Sequence, residues 1–347
     1  MESSQIIKKW ESFYTDRGLE KELSDKYIKY ITPLIEKDVP VIFNFTHLAK
    51  LLRRKNDYLA SVVNSTSNHY REFKLKKRSG GFRNINAPYS ALLEMQYWIY
   101  KNVLLKIPVH YCSHGFTKKK SIITNAKLHL NQNQLLKLDL SNFFPSIHLA
   151  RVIKVFKSLG YTTNVSFYLA SICCLNESLP QGAPTSPYLS NIIACDLDNR
   201  LIRFSKKFNL RYTRYADDLT FSGENISVKH IEYISKIVKE EGFNVNSNKT
   251  RLYKDGGRRI VTGISVADKV LKVPREYKRK LKQEIYYIEK YGLVSHIKKQ
   301  KIKTPYYIES IIGKLNYWRS VEPNSEYVKN KLEILKKMLS TNHNTRS

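Results

Sequence analysis

The sequence predicts an α+β fold built in sub-domains. Apolar residues recur at helical spacing near the start, at Ile6, Trp10 and Phe13, then Leu23, Tyr27, Ile31 and Leu34. The last eighty residues read as helical too, while the middle alternates in strand fashion between turn residues. Hydrophobic residues make up 42% of the 347 and aromatics 12%, enough for a core that excludes wholesale disorder. At roughly 100–200 residues per domain the length suits two or three units.

Taken in order, the first forty residues are helical, and a further helix is expected from Thr46 as N-cap through Leu48, Leu51 and Leu52. Residues 64–68 are polar and turn-like. Residues 73–87 form a hairpin around Ser79-Gly80-Gly81 that stops at Pro88, and 91–105 an amphipathic helix. A short apolar strand follows at 135–140, then a helix at 149–159 ending on Gly160. Three prolines and a glycine make 180–187 an irregular loop, before a helix over about 189–204. Residues 211–222 alternate like a hairpin, Ser227 caps a helix that stops at Gly242, and 251–266 reads as two strands around Asp255-Gly256-Gly257. Helices at about 275–291, 305–319 and 325–340 complete the chain, and no internal repeat is visible.

Charge narrows the partner. With 60 Lys and Arg against 30 Asp and Glu, the net charge is +30, which asks for a polyanion. The excess is uneven: −1 over residues 1–40, +13 over 41–130, +7 over 131–265 and +11 over 266–347. Clustered bases favour nucleic acid through counterion release. A membrane is not expected. The longest apolar run, 167–175, is far short of the ~20 residues a span needs, and residues 1–11 lack the apolar region of a secretory signal. Four cysteines, two of them adjacent at Cys173 and Cys174, have no zinc-ligand spacing and read as buried thiols of an intracellular protein.

The sharpest local feature is Tyr215-Ala216-Asp217-Asp218, between two strand-like runs. Adjacent carboxylates repel, and a divalent cation taking hard oxygen ligands resolves the conflict. Alone, the pair reads as readily as a solvated turn. Asp139, at the end of an apolar strand where an unpaired charge is costly, adds a third carboxylate. Three such groups can hold two metal ions for phosphoryl transfer.

Further elements follow the same order: Phe143-Phe144-Pro145 after Asp139, Gln181 to Pro187 before the Asp pair, and Asn246-Ser247-Asn248-Lys249-Thr250 after it. Together they resemble the palm of reverse transcriptases, with Arg83, Ile85, Pro88, Leu92 and Gln96 resembling the fingers motif upstream. The resemblance covers roughly residues 70–265. Asn125-Ala126-Lys127-Leu128-His129 and Val261-Thr262-Gly263 are similar to the NAxxH and VTG elements of bacterial retron reverse transcriptases.

That resemblance implies a right-hand polymerase: an N-terminal helical extension over 1–69, fingers over 70–134, an antiparallel palm over 135–265 with a fingers insertion at about 150–188, and a helical thumb over 266–347. It implies two Mg²⁺ held by Asp139, Asp217, Asp218 and the Leu140 carbonyl. Phe144 becomes a steric gate against the ribonucleotide 2′-OH, Gln181 and Gly182 lie against the nascent base pair, and Tyr215 supports the primer end. Arg83 clamps the triphosphate, as Lys76 or Lys77 does unless these are solvated strand residues. Lys249 donates a proton to pyrophosphate or only holds a phosphate. RNA contacts are expected from Asn125 and His129 (a His equally suited to a structural role) and from Lys278, Arg279 and Lys282. The implied partners are a structured non-coding RNA serving as template and primer, an RNA–DNA hybrid, a single-stranded DNA product, dNTPs and a separate effector protein. The setting is the bacterial cytoplasm and a role in defence against phage. Competing readings are another bacterial reverse transcriptase, of abortive-infection, diversity-generating or intron-derived type, and an RNA-binding scaffold for an effector.

Overall fold

The computed structural model describes residues 3–76, 80–254 and 257–344. Lys77, Ser79, Asp255 and Gly256 lie outside the described residues. The α+β expectation holds. Helices Ser3–Asp16 and Lys21–Glu36 open the chain and meet through Tyr14 on Tyr27 at 5.5 Å, while Trp10 packs on Phe43, beyond the second helix, at 5.9 Å. The next helix, Phe45–Leu51, is capped by Asn44 rather than Thr46, because the extended Asn44 accepts from the His47 amide. Strands β1 (Tyr70–Lys76) and β2 (Phe82–Pro88) form the expected hairpin, with Lys76 opposite Phe82.

The central sheet has four antiparallel strands: β3 (Gln134–Asp139), β4 (Arg211–Tyr215), β5 (Asp218–Gly223) and β6 (Arg251–Tyr253), in the order β4-β5-β3-β6. Leu136, Leu138, Leu219 and Phe221 are buried in one core with Phe156, Leu169, Leu189 and Leu201 from the covering helices. Burial on both faces explains why β3 reads as a near-continuous apolar run.

The region after β6 differs from expectation. β7 (Ile260–Val261) and β8 (Ile264–Ser265) form a separate hairpin whose turn is Thr262-Gly263, both at positive φ (45° and 85°). Two positive φ values in a two-residue turn match the right-handed twist of the strands. The expected single helix near 189–204 is broken at Ala194 into Ser186–Ile193 and Cys195–Lys207. Helices Ile122–Lys127, Thr163–Cys173 and Leu293–Lys299 were not foreseen, the first and last being too short for a helical period to declare itself. A second core joins helices Arg275–Tyr291, Tyr307–Val321 and Glu326–Asn344 to Val261, Ile264, Ala126 and Leu135. Among the described residues no helix is long and apolar enough to cross a membrane.

Asn125 and His129, expected to touch RNA, are both completely buried and present no surface to it. Asn125 Nδ2 donates to Thr262 Oγ1 at 3.4 Å, so the NAxxH and VTG elements meet in space. His129 bridges two strands, Nδ1 to Ser222 Oγ at 2.7 Å and Nε2 to Thr213 Oγ1 at 2.8 Å. Burial pushes its pKa from 6.5 down to about 3, helped by the Arg211 charge. The folded state therefore keeps this ring neutral, while the unfolded chain takes up a proton below about pH 6.5. Its contribution to stability is intact above that pH and is lost as pH falls toward 3, by up to about 1.4 kcal/mol per pH unit. The urea midpoint of His129→Gln should thus vary less between pH 6.5 and 4 than that of the unsubstituted protein; equal slopes would remove His129 as the cause.

Candidate active site at the carboxylate turn

β4 and β5 are joined by Ala216 and Asp217 alone, with Tyr215 opposite Asp218. Ala216 has φ +55°, a conformation that costs a residue with a Cβ roughly 1–2 kcal/mol. Across the sheet Asp139 pairs with Asp218, and the Leu140 amide donates to the Asp217 carbonyl at 2.9 Å. Register and turn thus gather three carboxylates at one end of the sheet.

Their electrostatics are those of a site wanting cations. Burial, then the neighbouring Asp217 charge, pushes the Asp218 carboxyl up to about 6. Burial also raises Asp217, with Asp139 adding to the rise and the Lys249 and Arg83 charges opposing it. Lys249 comes from the turn after the Val228–Glu240 helix, and its Nζ sits 2.8 and 2.9 Å from the two Asp139 oxygens. That hydrogen bond raises the Lys249 pKa, and the ammonium serves as a resident cation for one of the three acids.

The other expected residues lie on several different elements. Gln181 accepts a hydrogen bond from the Asn86 amide of β2 at 2.8 Å. Gly182 has φ +132°, and a Cβ there would lie 2.5 Å from the Asn86 carbonyl oxygen, so only glycine fits. The 180–187 loop is thereby tied to the strand that carries Arg83. Phe144 is half-buried, its ring 5.5 Å from Phe143 and 6.3 Å from Phe116. Tyr215 is half-buried and Leu140 buried. Lys278, Arg279 and Lys282 lie on the Arg275–Tyr291 helix. Lys278 is committed to Glu322 at 2.7 Å and to the Trp318 ring, and Lys282 lies over Trp318 and Tyr327.

Sequence reasoning missed the support beneath the turn. Arg214 and Asp198 form an ion pair with both side chains completely buried. Asp198 accepts from Arg214 Nε and Nη2 and from the Tyr212 hydroxyl, while Arg214 Nη1 donates to Asn191 and to the Ala216 carbonyl. Residues 112–114 flank β4, through Arg214 N to Cys112 O at 2.9 Å and His114 N to Arg214 O at 2.7 Å. No sequence signal singles out Arg214 or Asp198: Asp198 is one of several charged residues in Cys195–Lys207, and β4 carries Arg211 as well as Arg214. His110, Cys112 and Asp198 could geometrically hold a metal, their ligand atoms all lying within 4.8 Å of one another, but the Asp198 carboxylate already faces the Arg214 cation. All four cysteines are free, Cys195 being half-buried and the others buried.

The antiparallel sheet, with carboxylates at one strand end and in the adjoining turn, has the architecture expected of a right-hand polymerase palm. Residues 75–304 match the family described as reverse transcriptase (RNA-dependent DNA polymerase), and the chain belongs to it, in the retron branch, as an RNA-directed DNA polymerase. It is 35% identical over 254 residues to the retron Ec86 reverse transcriptase of Escherichia coli, covering 72% of this chain and 79% of that one. It is 37% identical over 238 residues to the retron Mx65 reverse transcriptase of Myxococcus xanthus, covering 63% of this chain and 56% of that one. A likeness in shape relates it to a foamy viral protease–reverse transcriptase in complex with double-stranded DNA, at TM-score 0.44 and 16% identity over 96% of this chain and 56% of that one. Family membership implies dependence on a divalent metal.

Two outcomes test this geometry. Without added divalent metal, Asp218→Asn should stabilise the protein at pH 7 by on the order of 2 kcal/mol, because it removes a buried charge facing two like charges. A lower urea midpoint would contradict that. Arg214→Met should cost about 3–5 kcal/mol by leaving Asp198 buried and unpaired, and adding Asp198→Leu should recover most of the loss. Thermal or urea unfolding of the single and double variants reads the difference.

Proposed function

We propose that this retron reverse transcriptase copies a dedicated structured non-coding RNA, which also primes synthesis, into single-stranded DNA by two-metal nucleotidyl transfer. The observation that carries this reading is the meeting of Asp139, Asp217 and Asp218 at one sheet end, with Lys249 already bound to Asp139. The donor set is hard oxygen at high negative charge, which suits Mg²⁺. The three carboxylates and the Leu140 carbonyl would hold two Mg²⁺, which would supply Lewis acidity toward the attacking hydroxyl and the leaving pyrophosphate.

The protein's own groups do the rest. Arg83 binds triphosphate oxygens, a role its influence on Asp217 supports. Lys249, bound to Asp139 in this structure, would hold or protonate pyrophosphate. Gln181 and Gly182 form the floor under the nascent pair, the absent Cβ letting Gly182 pack directly on the Asn86 carbonyl of β2. Tyr215 backs the primer end, and Phe144 fills the space of a 2′-OH. In this assignment the fingers run over 70–134, the palm over 135–265 and the basic thumb over 266–347, whose net +11 grips duplex or folded RNA. The setting is the bacterial cytoplasm, in an anti-phage defence system with a separate effector protein.

Asp217→Asn should reduce DNA synthesis to background while RNA retention on a filter changes less than about threefold, since phosphate contacts by Lys and Arg dominate affinity. Full synthesis by that variant would refute the metal assignment. Sequencing the nucleic acid that co-purifies should yield DNA covalently joined to one small RNA; random cellular RNA would exclude a dedicated template. Phe144→Val should raise ribonucleotide use by up to about a hundredfold relative to deoxynucleotides.

A further inference from the structure

Phe116 is an aromatic residue in a place where nothing about folding asks for one. Its side chain is 45% exposed, yet its backbone has φ +59°, in the left-handed region. A bulky residue there is a genuine outlier, costing roughly 1–2 kcal/mol, and such strain persists only where surrounding structure enforces it. The enforcement is visible on the preceding residue. The Gly115 carbonyl accepts from Asn191 Nδ2 at 2.8 Å and from Thr117 Oγ1 at 3.2 Å. A Cβ on Gly115 would lie 2.6 Å from the Ala216 amide nitrogen, so this loop is seated directly against the carboxylate turn. Two backbone hydrogen bonds between residues 112–114 and Arg214 pin it to β4.

The pinned loop delivers the ring to Phe144. The two centroids are 6.3 Å apart with planes tilted by 46°, within the range of favourable ring pairs. On its other flank Phe144 meets Phe143 at 5.5 Å, and Phe143 is a core residue packed 5.6 Å from Phe243. Phe144 is thus held between a fixed core ring and one solvent-facing ring.

We propose that Phe116 is a positioning residue for sugar selection, holding the Phe144 ring where it excludes a ribonucleotide. This rests on the reading of Phe144 as the gate. Selectivity then depends on both rings, with Phe116 acting only through Phe144.

The test compares dNTP and rNTP incorporation on a fixed primer–template for four proteins: unsubstituted, Phe116→Gly, Phe144→Val and the double variant. Glycine is the substitution of choice because it adopts φ +59° without strain. Expected for Phe116→Gly is about a tenfold loss of deoxy-over-ribo selectivity, carried by a gain in rNTP kcat/KM, with dNTP kcat/KM within about threefold of the original. The double variant should be no less selective than Phe144→Val alone. Unchanged selectivity in Phe116→Gly beside relaxed selectivity in Phe144→Val overturns the proposal and leaves the gate standing. Multiplicative losses in the double variant also overturn it, since Phe116 would then act independently. Unchanged selectivity in Phe144→Val removes the gate reading itself. If Phe116→Gly is inactive on both substrates, Phe116→Leu takes its place, with a partial selectivity loss expected and none overturning.

Discussion

The structure turns on one costly juxtaposition, Asp139 opposite Asp218 with Asp217 beside them. Nothing in folding rewards three carboxylates at a half-buried sheet end, and burial with like charge raises two of them. The surrounding arrangement can be understood as what makes this tolerable. Lys249 answers Asp139 directly, and Arg83 and Lys137 contribute positive potential. The conflict is lowered but not removed, so this sheet end keeps an unanswered negative charge.

Holding the turn rigid is a separate problem, solved from below. Ala216 occupies a backbone region that favours glycine, so the turn needs support from its surroundings. Arg214 supplies it by reaching the Ala216 carbonyl while paired to Asp198. Asn191 extends the same network into the Ser186–Ile193 helix and the 112–115 segment, accepting from Ser113 and Arg214 and donating to Gly115. The loop before that helix is bound in turn to β2 at Asn86. Hydrogen bonds thus fasten the 180–187 loop to the β1–β2 hairpin, and the helix that follows it to the carboxylate turn, linking elements as far apart in sequence as Asn86 and Ala216. A buried polar group so thoroughly satisfied rigidifies rather than destabilises.

The sequence disclosed what depends on local pattern and motif. The alternation of 211–222 and the apolar run at 135–140 located the strands, and Gly160 marked a helix end that the structure closes with φ +114°. The three aspartates and the order of elements around them were equally legible. What stayed hidden depends on contact between distant segments. No pattern pairs Asn125 with Thr262 across 137 residues, or Lys249 with Asp139 across 110. The 251–266 region misled because two turn-forming pairs lie close together, and only tertiary packing selects Thr262-Gly263 as the hairpin turn. Phe116 escaped because an isolated phenylalanine in a loop carries no signal until its backbone angle and neighbour are known.

The fate of Asn125 and His129 changes what the NAxxH and VTG elements mean here. Both side chains are buried, and their partners are strands and a hairpin turn. Ala126, Val261 and Ile264 belong to the core of the C-terminal helices, and Tyr317 donates to the Gly263 carbonyl at 3.1 Å. These elements therefore form the joint at which a basic helical unit is fastened to the central sheet. A joint fixes the angle between two surfaces. Asn125 and His129 thus spend their polar groups on holding that unit to the sheet, not on solvent.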